Sequence, residues 1–445
     1  MAAKVFECSL VTWIYLSVYF CFVQCEQPYI PTAPPIPVVP RSPKPNDKLH
    51  LVQVIWRHGD RAPTMTYPTD THQEEAWPNG WGELTELGMR QQYALGNVLR
   101  RRYMTGTNPF LNRRCNSKQV YIRSTDVNRT LISAYSNIAG MFAGGEPGKD
   151  FPNETDWPTG WTPVPVHTLP GNEDHAGNVF APCPRAEQLD DELRNSKEYK
   201  QLAKDNEDFL EYLTKNTGMK VELPNIYLIN DVHYIETIYN MSQPEWMTHD
   251  VSKRLRNLTS IVNEYTYGIG EPYVPELIRL RGGPMLRSLV DLMNQKKRCL
   301  DDSKQQNECK WIRPLKYYAY SAHDTTVAAL LSTFGDEMEV IRGGLPKYTA
   351  SVAVELWSLD GEGLAVRILF HGAFHHNYHV ITHLTKGCPV DKEFCPLEVF
   401  EKRSRQFMPV DMKKECERRQ RSNRTNQTWK AHQNKEHRIN RKNIH

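Results

Sequence analysis

Six residues in three short clusters carry side chains that could bind a multiply charged anion and transfer a group from it. They are Arg57, His58 and Arg61, then Arg123, then His323 and Asp324. The planar fork of arginine matches the oxygens of phosphate and carboxylate groups, so three arginines predict an anion of more than one charge. A histidine among arginines has its protonated form disfavoured. Its lone pair is then available to attack phosphorus and form a covalent phosphohistidine.

The second histidine and the aspartate suit the other two tasks of such a reaction. His323 would donate to the equatorial oxygens of the transition state, and Asp324 would protonate the departing alkoxide. Asp324 also has a rival interpretation as a helix N-cap, because aspartate is a preferred capping residue. The two roles are compatible, but a helix end lowers the pKa of a carboxyl whereas a bound phosphate raises it. The sequence leaves that balance open.

Each cluster follows a segment with the pattern of a β-strand. The apolar run at residues 51–56 indicates a strand covered on both faces, and shorter runs at 120–122 and 316–320 precede the other two clusters. In open α/β sheets the ligand crevice lies at the carboxyl ends of the strands. The sequence therefore predicts that the three clusters line one pocket.

The alternation of these strands with helical patterns predicts an α/β fold. Helices are expected at residues 84–103, 130–142 and 325–334, and a late pair of strands at 351–359 and 364–370. From about residue 182 to 314 the pattern is mainly helical and charged, which indicates an α-helical insertion. The expected architecture is a mostly parallel sheet flanked by helices, with this insertion domain over the sheet.

The motifs in these clusters resemble those of the histidine acid phosphatases. Residues 57–63 (RHGDRAP) resemble the RHGxRxP signature, and residues 320–326 (YSAHDTT) resemble the distal His-Asp motif of the prostatic and lysosomal group. Residues 121–130 (YIRSTDVNRT) and 164–168 (VPVHT) fit the same group in matching order. The resemblance extends from Leu49 to Cys416 and implies a phosphoglycerate-mutase-like catalytic domain over about residues 47–400.

The resemblance also implies roles for the matching residues. His58 would be the nucleophile and Asp324 the proton donor, and the ligands of the phosphate would be Arg57, Arg61, Arg123 and His323. The implied activity is that of an acid phosphatase that hydrolyses phosphate monoesters without a metal or other cofactor. The alternatives are a phosphatase specialised for phytate or a lysophospholipid, and a catalytically weak relative that only binds anions. The distal pair is His-Asp, not the His-Ala-Glu of inositol polyphosphate phosphatases, which favours the broad activity.

The first residues and the modification signals predict a secreted or lysosomal protein. A lysine and an apolar stretch at residues 10–23 indicate a signal peptide over residues 1–25. No later run of 18 apolar residues occurs, so no membrane span is expected in the mature chain. Secretion into the extracellular space is the main expectation and the lysosomal lumen the alternative. Six sequons are candidate glycosylation sites: Asn128, Asn153, Asn240, Asn257, Asn423 and Asn426.

Seven cysteines lie beyond the signal peptide, and their spacing favours disulfides over a zinc site. The family resemblance implies the pairs Cys183–Cys416 and Cys388–Cys395. One family bridge has no counterpart here, because no cysteine lies near residues 348–351. The pair Cys299–Cys309 would be a local replacement, which leaves Cys115 unpaired.

The remaining segments and the overall charge say less about partners. Residues 26–46 are proline-rich and indicate an extended linker. The net charge of +3 names no partner, nucleic acid included, and the basic excess belongs to the C-terminal segment 401–445, where nine Lys or Arg face two Glu after residue 416. That tail is either a solvated disordered end or a contact for an anionic surface such as a sulfated glycan. A small phosphomonoester is the expected substrate, and a homodimer is the remaining partner hypothesis.

Overall fold

The computed structural model describes residues 41–158, 160–300, 307–341, 345–373 and 377–419. The predicted signal peptide, most of the proline-rich linker and nearly all of the basic tail lie outside these described residues. The sequons at Asn423 and Asn426 also lie outside them.

Strand β1 (Lys48–Arg57) is buried on both faces, as its apolar run predicts. Leu51 and Ile55 point into one core, while Val52 and Trp56 point into the core on the opposite face. All four side chains are fully buried. Because alternate side chains of a strand face opposite sides of the sheet, an unbroken apolar sequence is what a strand between two helical layers requires.

The eight described strands form one mixed sheet. They are β1 (Lys48–Arg57), β2 (Val120–Ser124), β3 (Val166–His167), β4 (Tyr317–Ala322), β5 (Ser351–Leu359), β6 (Gly363–His371), β7 (His379–Val380) and β8 (Cys395–Pro396). The order is β3-β2-β4-β1-β5-β6-β7, with β8 also paired to β6. The first four strands run parallel, and β5 to β8 pair antiparallel. The expected late strand pair is confirmed as the β5–β6 hairpin.

Helices cover both faces of the sheet, which confirms the α/β architecture with a helical domain. The described helices are α1 (Glu86–Tyr103), α2 (Asn128–Met141), α3 (Pro184–Arg194), α4 (Lys197–Asp205), α5 (Glu207–Thr217), α6 (Ile226–Ile238), α7 (His249–Tyr267), α8 (Pro275–Arg281), α9 (Gly283–Arg298), α10 (Cys309–Ile312), α11 (Asp324–Phe334), α12 (Glu337–Val340), α13 (Leu397–Ser404) and α14 (Met412–Glu415). Helices α1 and α2 pack on one face, and α9 and α11 pack on the other.

The helical stretch between β3 and β4 divides into two parts. Helices α4 to α7 share a hydrophobic core of their own, which includes Phe209, Leu213, Ile229 and Leu255. Helix α9 instead contributes Leu286, Leu289 and Met293 to the core under the sheet. A separate core accounts for a mainly helical and charged sequence, because each helix there needs only one apolar face.

A buried pair of carboxyl groups ties the helical domain to the loop after β1. Glu236 on α6 lies near the buried Asp70, and Gln243 donates to Oε2 of Glu236 at 2.9 Å. Glu236 is 1% exposed and Asp70 is 8% exposed. Burial and the neighbouring Asp70 raise the pKa of Glu236 to about 8, so Glu236 is protonated in acidic solution.

The covalent links of the described chain match the expected pairs. Disulfides join Cys183 to Cys416, Cys299 to Cys309, and Cys388 to Cys395, and Cys115 is a free thiol. The first of these bonds joins the start of α3 to the end of α14. None of the described helices is long and apolar enough to cross a membrane.

Candidate active site

The three predicted clusters meet at the carboxyl ends of the parallel strands β1, β2 and β4. His58 directly follows β1, and its backbone N–H donates to the carbonyl of Ala322 at the end of β4 at 3.0 Å. The backbone N–H of Thr125, just after β2, donates to the carbonyl of Ser321 at 3.0 Å. The apolar strand β1 is therefore followed by basic side chains because its carboxyl end lies at the sheet edge that the three clusters share.

His58 is held as a neutral imidazole with one nitrogen free. Its side chain is 2% exposed, and Nδ1 lies 2.7 Å from the carbonyl oxygen of Gly59. A carbonyl can only accept, so Nδ1 carries the proton and Nε2 keeps its lone pair. Burial, followed by the charges of Arg57 and Arg129, holds the pKa of His58 well below its usual range. The imidazole therefore stays unprotonated in acid, with the lone pair of Nε2 available.

Close packing against α1 fixes the loop that carries His58. A Cβ on Gly59 would lie 2.2 Å from the carbonyl oxygen of Gly88, and one on Gly88 would lie 2.1 Å from the carbonyl oxygen of Asp60. The buried carboxylate of Asp60 accepts from Thr85 Oγ1 at 2.6 Å and from the hydroxyl of Tyr239. Asp60 thus joins the loop to α1 and the end of α6.

Arg57 and Arg61 each bind protein groups through their terminal nitrogens, and each keeps an Nε–H group without a described partner. Arg57 donates to the carbonyl of Pro346 at 2.6 Å, pairs with Asp324 at 3.0 Å, and lies over the ring of Tyr348. Arg61 binds both carboxylate oxygens of Asp231, at 2.9 and 3.1 Å. The Nε atoms of both arginines are buried and have no partner among the described residues. These N–H groups are therefore available as donors to an anion bound beside His58.

The third arginine of the pocket is Arg129, not the expected Arg123. Arg129 lies in the first turn of α2, and its charge lowers the pKa of both His58 and His323. Its own Nε is also buried without a partner in the described chain, and burial together with Arg61 lowers its pKa to about 10. Arg123 pairs instead with the buried carboxylate of Asp174 and faces the ring of Tyr320. The structure therefore does not bring Arg123 together with the other predicted ligands.

Residues 121–130 contain both arginines, so the sequence included the signal for Arg129. The strand pattern favours Arg123 as a ligand because Arg123 directly follows the apolar run at residues 120–122. Arg129 reaches the pocket only because residues 124–127 turn the chain at the sheet edge and α2 then begins. Asp231 was also missed, because it lies in the helical domain far from every motif.

His323 and Asp324 stand at the end of β4 and the start of α11. The rings of His58 and His323 lie 5.6 Å apart, and His323 Nε2 forms a 3.0 Å hydrogen bond with Thr125 Oγ1. Burial and the charge of Arg129 lower the pKa of His323 to about 3, so it is neutral. Burial alone would raise the pKa of Asp324, but Arg57, Arg61 and His323 hold it below its usual value.

Asp324 is not the N-cap of its helix. His323 takes the N-cap position, and Asp324 is the first helical residue, where its Oδ1 accepts from the backbone N–H of Thr325 at 2.7 Å. Its Oδ2 faces Arg57 in the pocket. One oxygen therefore serves the helix and the other is directed to the ligand position. Burial raises the pKa of Asp324 and the nearby arginines lower it, and without a ligand the arginines have the larger effect.

Within the described residues no group of three or more His, Cys, Asp or Glu side chains could hold a metal ion. The histidine-rich stretch at residues 371–383 offers none, although His375 and His376 lie outside the described residues. No metal ligand is therefore assigned to the pocket.

Comparisons with known proteins agree with this geometry. A family model for the histidine phosphatase superfamily (branch 2) matches residues 48–371. Lysosomal acid phosphatase of Xenopus laevis is 32% identical over 372 residues, which cover 83% of this chain and 79% of that protein. Human prostatic acid phosphatase is 35% identical over 372 residues, covering 83% of this chain and 88% of that protein. The apo form of Hafnia alvei phytase shares the fold, with a TM-score of 0.58 at 14% identity over 84% of this chain and 99% of the phytase.

Proposed function

The chain belongs to branch 2 of the histidine phosphatase superfamily, and we propose that it hydrolyses phosphate monoesters through a phosphohistidine on His58. It is an acid phosphatase, a phosphoric monoester hydrolase like its curated relatives. The observation that carries the mechanism is the free Nε2 lone pair of a buried, neutral histidine among arginines with unpaired N–H groups.

The substrate phosphate would bind through the N–H groups of the pocket that have no described protein partner. The Nε–H groups of Arg57, Arg61 and Arg129 would donate to the phosphate oxygens, and His323 would donate as the charge develops. The dianion competes with Asp324 for the charge of Arg57. The pKa of Asp324 then rises from its depressed value, which allows the carboxyl to be protonated in the complex.

Two displacements complete the reaction. His58 Nε2 attacks phosphorus, the bond from phosphorus to the ester oxygen breaks, and Asp324 gives its proton to the departing alkoxide. Water then attacks the phosphohistidine while the Asp324 carboxylate takes one of its protons. The N–P bond breaks, and inorganic phosphate and neutral His58 are formed. Each residue ends in the state in which it began.

The pH dependence follows from the same groups. The pKa values of His58 and His323 are lowered so far that both imidazoles stay neutral at moderately low pH. Their protonation therefore limits the rate only at still lower pH, on the acid limb of the profile. Asp324 must be protonated to act as the acid, and the second ionisation of a phosphate monoester lies near pH 6. We expect a bell-shaped profile with its maximum on the acid side of neutral.

The test of the mechanism is the substitution His58→Ala. Turnover and the acid-labile phosphoenzyme trapped by rapid quenching should both disappear, while phosphate still binds through the arginines. His72→Ala is the matched control, because His72 lies in a loop away from the pocket and bonds to Ser242. It should retain both turnover and the trapped intermediate. If the His58→Ala variant keeps more than a trace of wild-type turnover, the phosphohistidine mechanism is wrong.

The protein is extracellular or lumenal, as its disulfides and its lysosomal and prostatic relatives indicate. We propose that it is secreted after removal of residues 1–25. The exposed side chains of Asn128, Asn153, Asn240 and Asn257 support glycosylation at these sequons. Glycopeptide mass spectrometry of the protein from culture medium tests both points. Retention of the full chain inside lysosomes would contradict secretion.

The assembly and tail hypotheses stay proposals that one purified sample can test. We propose a homodimer, which light scattering should show as twice the mass of one glycosylated chain. We also propose that the basic tail contacts anionic surfaces such as sulfated glycans. Salt-sensitive retention on immobilised heparin should then be lost when residues 420–445 are removed. Equal retention with and without the tail would contradict that proposal.

A further inference from the structure

We propose that Asp231 selects substrates by the charge of their leaving group. It would disfavour phosphate esters whose alcohol carries additional negative charge and favour neutral or cationic alcohols. This inference rests on the proposed function, because it concerns the same pocket and the same phosphate position. It assigns a specificity role to a residue of the helical domain, outside every motif that carries the chemistry.

The Arg61–Asp231 pair leaves room for a phosphate without being broken. Asp231 occupies the two terminal nitrogens of Arg61 from one side, whereas Nε of Arg61 is buried and has no described partner. A phosphate can therefore use the Nε edge of the guanidinium while the carboxylate keeps the terminal edge. Asp231 then keeps its place on Arg61 beside the bound substrate and is not displaced by it.

Asp231 lies on the open side of this pair. Its side chain is 23% exposed, compared with 10% for Arg61. Its charge acts on Arg129, Tyr234 and Tyr348 as well as on Arg61, so its field extends across the pocket. The phosphoryl group must reach the buried His58, and the alcohol part of the ester must extend outward. The leaving group therefore passes close to the Asp231 carboxylate.

The charges of the described pocket leave no positive excess for a second anionic group. Three guanidinium groups (Arg57, Arg61 and Arg129) face two carboxylates (Asp231 and Asp324), and both histidines are neutral. A bound phosphate dianion more than cancels that single net positive charge, and when Asp324 is protonated in the complex the dianion cancels the remaining two positive charges. A further phosphate or carboxylate on the leaving group then lies near the Asp231 carboxylate in a pocket with no positive charge left over, and the interaction is repulsive.

The experiment compares kcat/KM for three esters that differ in leaving-group charge. Phosphoethanolamine has a cationic leaving group, glycerol 2-phosphate a neutral one and 3-phosphoglycerate an anionic one. At low ionic strength we expect kcat/KM to fall on the order of threefold to tenfold for each step toward negative charge. In Asp231→Asn the ratio of the cationic to the anionic ester should fall at least threefold, and phytate should become a better substrate relative to glycerol 2-phosphate.

Asp174→Asn is the matched control, because Asp174 also pairs with an arginine, Arg123, which faces the ring of Tyr320. It should leave the ratios among the three esters unchanged. If Asp231 only orients Arg61, Asp231→Asn will slow all three esters by one common factor, and the selectivity role is overturned. Turnover of p-nitrophenyl phosphate that depends on His58 keeps the proposed function intact in that case. Absence of such turnover would instead refute the proposed function itself.

Discussion

Replacing Arg129 and Arg123 separately by alanine distinguishes the arginine that the structure places in the pocket from the one that the strand pattern favoured. Arg129→Ala removes a buried, unpaired Nε–H donor and one positive charge beside both histidines. Loss of one donor to a transition-state oxyanion costs about 10²-fold to 10³-fold in rate, or about 3–4 kcal/mol. We therefore expect kcat/KM for p-nitrophenyl phosphate to fall about a hundredfold or more in Arg129→Ala.

The pH profile of the same variants provides a second readout. Arg129 lowers the pKa of His58 and His323, so its removal raises both pKa values, and the acid limb of the profile moves to higher pH. Arg123→Ala removes the pair with Asp174 and the contact with the Tyr320 ring, and because Arg123 does not lower the pKa of either histidine, that limb should stay in place. Its kcat/KM should change by less than about tenfold, well below the loss in Arg129→Ala. A larger loss in Arg123→Ala than in Arg129→Ala would refute this assignment and restore Arg123 as the phosphate ligand.

Three further predictions address the acid, the fold and the loop of the nucleophile. Asp324→Asn should slow alkyl phosphates far more than p-nitrophenyl phosphate, whose leaving group needs little protonation, and equal losses would show that Asp324 is not the acid. The raised pKa of Glu236 means that its proton stabilises the folded state below pH 4.5 and that this stability is lost as the pH rises through about 8. Chemical denaturation should show a wild-type protein more stable at pH 5 than at pH 8, with the gap reduced by about 2 kcal/mol in Glu236→Gln, and an unchanged gap would contradict this. Gly88→Ala should lower stability by about 3 kcal/mol because its Cβ meets the Asp60 carbonyl, whereas Gly171→Ala, with open space around it, should not.

Residues that follow strands could be placed from the sequence because strand ends have a fixed position in a parallel sheet. Arg57 ends β1 and His58 follows it, while His323 and Asp324 follow β4, and the structure brings all four together at the sheet edge. The apolar run of β1 likewise predicted burial on both faces. These inferences rest on two rules: side chains of a strand alternate between the two faces of the sheet, and ligands bind at the carboxyl ends of parallel strands.

Residues that depend on a turn or on docking of another unit could not be placed in the same way. Arg123 leaves β2 at the correct edge, but its direction is set by a buried partner, Asp174, which lies 51 residues later in the chain. Arg129 enters because α2 starts against the pocket, and Asp231 enters because α6 docks there from the helical domain. No periodicity in the sequence indicates which carboxylate will meet which guanidinium.

The disulfide between Cys183 and Cys416 has a consequence for cleavage of the backbone. It spans 233 residues, from the start of α3 to the end of α14, and this span includes β4, His323 and Asp324. In a polymer-entropy model, closing a loop of this length restricts the unfolded chain by about 5 kcal/mol. A single protease cut anywhere inside the loop leaves the two fragments covalently joined. When the cut falls between Cys183 and His323, the fragment with His58 and the fragment with Asp324 separate on a denaturing gel only after reduction, so one covalent unit still carries both catalytic residues.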